Sequence, residues 1–147
     1  MSDTLVIRRA VTADRKALIR IMQESRAYKG AYHAIIDGYP ITDEMIARDE
    51  MFVAERDGRI IGFYSLMLGE PELDLMFVDD DAQGTGAGRL LFEHMRARAR
   101  MLAIARVKIV SHPPSEGFYL RMGAVRVGTR PPRNRVTWEQ PVLDLAI

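Results

Sequence analysis

The chain has 147 residues, enough for one ordinary domain with its own core and too few for two. Apolar residues make up 48% and charged residues 28%, a globular composition that excludes an intrinsically disordered chain. With 21 Lys+Arg against 20 Asp+Glu and no cysteine, the sequence offers no basic surplus for nucleic acid or a membrane surface. It also has no disulfide, thiolate metal site or Cys nucleophile.

No apolar run approaches the roughly 18 residues of a membrane-spanning helix, and Met1 to Arg9 lacks an apolar signal core. The expectation is a cytoplasmic protein with a single domain over 1–147. Thr4 to Arg8 alternates as a strand. Thr12 is a candidate N-cap, and Leu18, Ile21, Met22 and Ser25 recur with the period of a helix of about 14 residues. Tyr28 to Pro40 has no clean period and holds Tyr28, Tyr32, His33 and Tyr39. Thr42 caps a short second helix through Asp49.

Met51–Glu55 and Arg59–Leu68 read as strands joined by a tight Asp57-Gly58 turn. Leu73–Val78 is another strand, closed by Asp79-Asp80-Asp81. The glycine-rich Gln83 to Gly88 leads into the longest helical pattern, with Leu90, Leu91, His94, Met95, Arg98 and Leu102 on one face. Arg96, Arg98 and Arg100 read as a solvated charge run. Val107–Val110 is a strand, Ser115–Met122 a short helix with Gly123 as its C′ residue, and Val125–Val127 and Val136–Leu145 a closing hairpin. The order β-α-α-β-β-β-α-β-α-β-β predicts a mixed α/β sheet.

Glycines at 84, 86 and 88, between a strand and a helix, suit close approach to an anion, because the helix start offers free N–H groups and positive potential. A P-loop is excluded because no Lys follows these glycines. A dinucleotide fingerprint fails because Arg89 stands five residues after Gly84, where glycine is needed. The hexapeptide Gln83-Gly84-Thr85-Gly86-Ala87-Gly88 instead fits Gln/Arg-x-x-Gly-x-Gly/Ala. There the sequence resembles the GCN5-related N-acetyltransferase (GNAT) family. Ser115-Glu116-Gly117-Phe118-Tyr119-Leu120-Arg121-Met122-Gly123-Ala124 resembles that family's late motif, with His112 and Ser115 where the family usually has Asn and Ala. The wording of this segment is similar to a bacterial small-domain branch.

The resemblance implies a mostly antiparallel sheet of six to seven strands, splayed at the centre, with four helices. It implies transfer of acetyl from acetyl-CoA to a primary amine of a small molecule or peptide, by direct attack through a tetrahedral intermediate. Gln83, Gly84, Thr85, Gly86, Ala87, Gly88 and Arg89 would cradle the pyrophosphate. The main chain of Met76, Phe77 and Val78 would pair with pantetheine, and His112 and Phe118 complete the coenzyme set. Tyr119 would stand beside the thioester sulfur as proton donor. Glu72, eleven residues before Gln83, is one candidate base. Asp74, two residues on, is another, and His112 a third. Attack through a water relay would need none of them.

Tyr28, Lys29, Tyr32, His33 and Tyr39 are expected to roof the acceptor cleft, which Arg130, Arg133 and Arg135 also approach, favouring an anionic acceptor. No metal is expected, since no His/Asp/Glu set has ligand spacing. A homodimer through the C-terminal strands is implied by analogy. Two rival readings remain: an acyl-CoA-binding sensor without chemistry, and a nucleic-acid-binding module using the arginine-rich helix. The balanced charge and the Asp79–Asp81 run weigh against the second.

Overall fold

The computed structural model describes residues 5–147. The strands are β1 (Leu5–Arg9), β2 (Glu50–Arg56), β3 (Arg59–Met67), β4 (Glu72–Val78), β5 (Arg106–Val110), β6 (Val125–Arg130) and β7 (Gln140–Ala146). The α-helices are α1 (Arg15–Gln23), α2 (Asp43–Arg48), α3 (Ala87–Met101) and α4 (Glu116–Arg121). Thr4, predicted as the first strand residue, lies outside the described residues. The seven strands form one sheet in the order β1-β2-β3-β4-β5-β7-β6. Every pairing is antiparallel except β4 with β5. That central parallel pair meets at a single register position, Glu72 opposite Lys108, and then diverges. The mixed, splayed sheet expected from the family resemblance is therefore present.

Local signals explain several boundaries. Asp57 and Gly58 both take positive φ (53° and 76°), which matches a two-residue turn to the strand twist. Thr42 Oγ1 accepts the Met45 N–H at 3.1 Å and caps α2. Thr12 does not cap α1. It opens a 3-10 turn, and the Asp14 carboxylate takes the Val11 N–H at 2.8 Å while Arg8 grips the same carboxylate. This shortens α1 to nine residues.

The sheet is covered on both faces. Leu18, Ile21, Met22 and Ile46, from α1 and α2, pack with Val53 and Phe63. Leu91, Phe92 and Met95 of α3 pack with Phe52, Ala54 and Tyr64 on the other. Alternation along β2 thus sends Val53 and Phe52 to opposite cores. The buried stripe of α3 is Ala87, Leu91, Phe92, Met95 and Ala99, whereas Leu90 and Leu102 are exposed. The arginines of α3 are also less solvated than the sequence suggests. Arg98 reaches Glu50 (Nε to Oε1 2.7 Å) and lies over the Phe52 ring, and Arg96 donates to the Met122 carbonyl at 2.8 Å. His94 is a packing residue, its Nδ1 2.9 Å from the Tyr64 hydroxyl.

Candidate active site

The glycine turn lies between β4 and α3. Gly84 and Gly86 take φ of +76° and +86°, conformations that side-chain-bearing residues rarely adopt. The N–H of Leu90 makes the first helical bond, to Gly86 O at 3.0 Å. The N–H groups of Ala87, Gly88 and Arg89 are therefore the open donors of the first turn. Thr85 donates its hydroxyl to Ala82 O (2.6 Å), which braces the turn. Two of the three acids before it are paired: Asp79 faces Arg59 (3.3 Å) and Arg20 (3.9 Å), and Asp80 faces the Arg26 guanidinium (3.1 Å), while Asp81 is exposed to solvent. Gly88 differs from its two neighbours. Its φ is not positive, and a Cβ there would stand 3.7 Å from the Phe118 ring and Val78, an ordinary contact.

The splay between β4 and β5 opens a slot beside this turn. Asp79 N–H donates to Ile61 O at 2.7 Å, and Phe77 lies opposite Phe63, so the peptides of these odd-numbered residues face β3. Alternation then turns the peptides of Met76 and Val78 toward the wedge. Val78 O confirms this direction, because it accepts from the Gln83 side chain at 3.1 Å. Of the three predicted main-chain partners, Met76 and Val78 have groups on the wedge side. Phe77 contributes its buried ring as a wall.

The slot has a volume of about 310 Å³ and is walled by Met76, Val78, Gln83, Gly88, Phe118 and Tyr119. Arg121 also lines it, a residue the sequence reading passed over. Its i+3 spacing from Phe118 on α4 was the available signal. Arg89 is exposed and borders an adjoining groove with Arg96 and Arg121.

A second cleft, of about 240 Å³, continues from the slot. Tyr28, Met76, Phe77 and Tyr119 wall both. At this junction the Tyr119 hydroxyl makes no hydrogen bond among the described residues, and burial pushes its pKa up to about 12. It is thus a neutral phenol, with a proton to give, across the physiological range.

Glu72 and Asp74 both line the second cleft. They share it as the two-residue spacing suggests, with Leu73 between them in the opposite core. Leu73 lies opposite Leu66 and Leu75 opposite Ser65, so a β-bulge leaves Asp74 without a partner residue on β3. The bulge turns Leu75 into the core opposite to that of Leu73. Its Oδ2 accepts from the Tyr39 hydroxyl at 2.7 Å. Burial raises the Asp74 pKa, and the Tyr39 bond opposes the shift. Burial likewise raises Glu72, with Lys108 opposing.

His112 lines this second cleft and not the slot. Its Nε2 is 2.9 Å from Ala27 O. Nε2 must carry the proton, because a carbonyl only accepts. Nδ1 is a buried acceptor without a partner, and burial lowers the imidazole pKa. Tyr28 stacks flat on this ring at 3.9 Å. Tyr32 and His33, predicted to roof the cleft, do not line it. Tyr32 packs edge-on between His112 (5.4 Å) and Trp138 (4.9 Å), holding His112 from behind. Tyr28 and Tyr39, from the same predicted lid, do line it. Among the described residues no group of three or more His, Asp or Glu is arranged to hold a metal, and no helix is long and apolar enough to cross a membrane.

A slot beside strand main chain, a bare glycine turn at a helix start and a buried phenol where the slot meets a second cleft make an arrangement that acyl transfer can use. The acetyltransferase (GNAT) domain model matches residues 22–140, and the chain belongs to that family of acetyl-CoA-dependent N-acetyltransferases, which act on amines. The 5-NmdU N-acetyltransferase of Pseudomonas phage PaMx11 is 25% identical over 128 residues, covering 84% of this chain and 89% of the relative. The paia N-acetyltransferase of Thermoplasma acidophilum, solved in complex with coenzyme A, superposes with a TM-score of 0.80 at 16% identity, covering 98% of this chain and 99% of that one. The ribosomal-protein-S18-alanine N-acetyltransferase of Escherichia coli gives 0.76 at 20% identity, covering 98% and 94%. The two superpositions show the shared fold.

The residues present fit acetyl-CoA as co-substrate. Gly84 and Gly86 leave the turn bare of side chains, and three N–H donors stand open at the start of α3.

Proposed function

We propose that this chain acetylates a primary amine of a small molecule, held in the cleft of Asp74 and Glu72. The observation that carries this reading is the unpartnered Tyr119 hydroxyl where the slot and the cleft meet. In this reading the N–H groups of Ala87, Gly88 and Arg89 and the positive end of α3 bind the pyrophosphate. Gln83 holds the turn to β4, and the main chain of Met76 and Val78 orients the pantetheine arm. Arg121 adds charge at the outer end of the slot. Bound acetyl-CoA supplies an acetyl thioester.

Asp74 takes a proton from the acceptor ammonium, with Glu72 beside it as the alternative base. Tyr39, by donating to Asp74 Oδ2, leaves Oδ1 for that proton. Tyr119 Oη protonates the departing sulfur. Tyr28 and Phe77 exclude water from the junction. The phage relative's name supplies the first acceptor to try, 5-NmdU.

Thermal unfolding tests the coenzyme half. At 100 Kd of acetyl-CoA a native-state ligand adds about 2.7 kcal/mol, which for a chain of this size raises Tm by roughly 5–10 °C. No rise at millimolar acetyl-CoA, or an equal rise with ATP, sinks the reading.

The base has its own signature. Both carboxyl pKa values lie above the ordinary carboxylate range, and the base works ionised. Activity is therefore present above that raised pKa and falls as pH drops through it. Asp74→Asn is expected to lower kcat/KM by about 10² and to displace this acid limb, at the low end for a general base. An unaltered limb assigns the proton to another group.

A further inference from the structure

The acceptor cleft does not end at Asp74. Ile35, Tyr39, Arg130 and Gln140 also wall an outer chamber of about 380 Å³, so the two spaces adjoin. Their charges are opposite. The inner space holds Glu72 and Asp74. The outer one holds Arg130, Arg133 and Arg135 against a single acid, Asp37. That acid is already taken, since Arg135 donates to Asp37 at 2.7 Å.

Arg130 is half-buried at the boundary between the two chambers, and its guanidinium makes no hydrogen bond or ion pair among the described residues. The Arg133 guanidinium is exposed and equally uncommitted; only the backbone of Arg133 is bonded, to Val136. This half-buried guanidinium has no hydrogen-bonded carboxylate or carbonyl, and only the charge of Glu72 acts on it from the inner chamber, so a ligand anion would complete it. The backbone keeps this cation in place: Arg130 ends β6 and pairs with Gln140 of β7. Tyr39 stands on the wall shared by the chambers, and Asp74 holds its hydroxyl.

We infer that the acceptor is amphoteric: a primary ammonium that enters the Asp74–Glu72 end, joined to a carboxylate or phosphate that Arg130 and Arg133 bind in the outer chamber. This rests on the reading of the inner cleft as the amine site and adds the second recognition element. A neutral or polycationic amine fills only half of the site, and a polycation meets uncompensated arginines at the mouth. The anion also sets direction. With its charge held at Arg130, the acceptor presents its amino end toward Tyr119.

The test compares three acceptor families of matched length: alkylamines, ω-amino carboxylates and ω-aminoalkyl phosphates, each at three to six carbons. Turnover is followed by release of free coenzyme A, and binding by calorimetry with coenzyme A present. The anionic families are expected to give kcat/KM and affinity at least tenfold above the alkylamines, the advantage shrinking with salt. The better of the two anionic families identifies the acceptor's anion as carboxylate or phosphate. Arg130→Gln is expected to lower both values for the anionic amine at least tenfold more than for the alkylamine. Arg133→Gln, at an exposed position that leaves the fold alone, is expected to act in the same sense but less.

Equal affinity for charged and uncharged carriers, or equal losses for both in Arg130→Gln, overturns the inference. Arginine-dependent binding of the anionic amine without any turnover supports the amphoteric site. That same result overturns the transferase reading, so the two failures are separable.

Discussion

Replacing Tyr119 by Phe is expected to lower kcat by roughly 10²–10⁴, the range for loss of a positioned general acid. Coenzyme binding should stay intact. The ring sits 5.4 Å from Phe118 and 6.1 Å from Phe92, contacts that phenylalanine keeps. The hydroxyl has no protein partner among the described residues, so its removal leaves no orphaned donor or acceptor behind. Unfolding should therefore be unchanged, and acetyl-CoA should raise Tm as in the parent. Single-turnover rates separate the chemical step from binding. A variant at full rate leaves Tyr119 as a wall of the junction, with the proton coming from water or from Tyr28 on the same wall.

Gly86→Val is expected to abolish acetyl-CoA binding. No atom stands within 4 Å of a Cβ at this position, so the obstacle is not crowding. It is the backbone at φ +86°, where a β-branched residue is strained by about 1–3 kcal/mol. The turn relieves that strain by rotating, which re-aims the N–H groups of Ala87 and Gly88. Tm is expected to fall by roughly 2–12 °C at about 2–4 °C per kcal/mol, and the further rise with acetyl-CoA to vanish. Gly88→Ala separates strain from space. Its φ is ordinary and its Cβ contacts are comfortable, so Tm should hold. Binding should weaken only as far as a methyl group on the slot wall obstructs the ligand. Retained binding in Gly86→Val removes the turn from the coenzyme site.

The contrast between the two glycines shows how far local reasoning reaches. Alternating glycines before a helix are legible as an anion turn, and Gly84 and Gly86 have the positive φ such a turn requires. Gly88 has the same spacing but neither a positive φ nor a close contact that requires glycine; it faces Phe118 and Val78 on the slot wall. Thr42 and the Asp57-Gly58 pair behave as their local chemistry predicts, because a cap and a two-residue turn involve only near neighbours. Thr12 loses its place to Asp14 because Arg8, on β1, holds that carboxylate. Of the expected lid residues, Tyr28 and Tyr39 reach the cleft and Tyr32 and His33 do not, because Tyr32 packs against His112 and Trp138.

Asp74 gives the sharpest case. Its distance from Glu72 suggested a shared strand face, and both line one cleft, but the bulge that leaves it unopposed on β3 was not legible. The partner it meets, Tyr39, lies 35 residues away. Arg130 meets the inner cleft only because β6 pairs with β7 beside the splay.

The sequence by itself determined the order of elements, the glycine turn and the lack of a cysteine nucleophile, which depend on composition, on periodicity and on contacts within a few residues; the Phe118-Tyr119 segment was legible through its resemblance to the family. The tertiary structure decided where β4 and β5 part, which main-chain groups face the wedge, and which base and which arginines share a cleft with Tyr119. Those features arise from strand register and packing between distant segments, and a one-residue bulge is enough to reverse a side chain's direction.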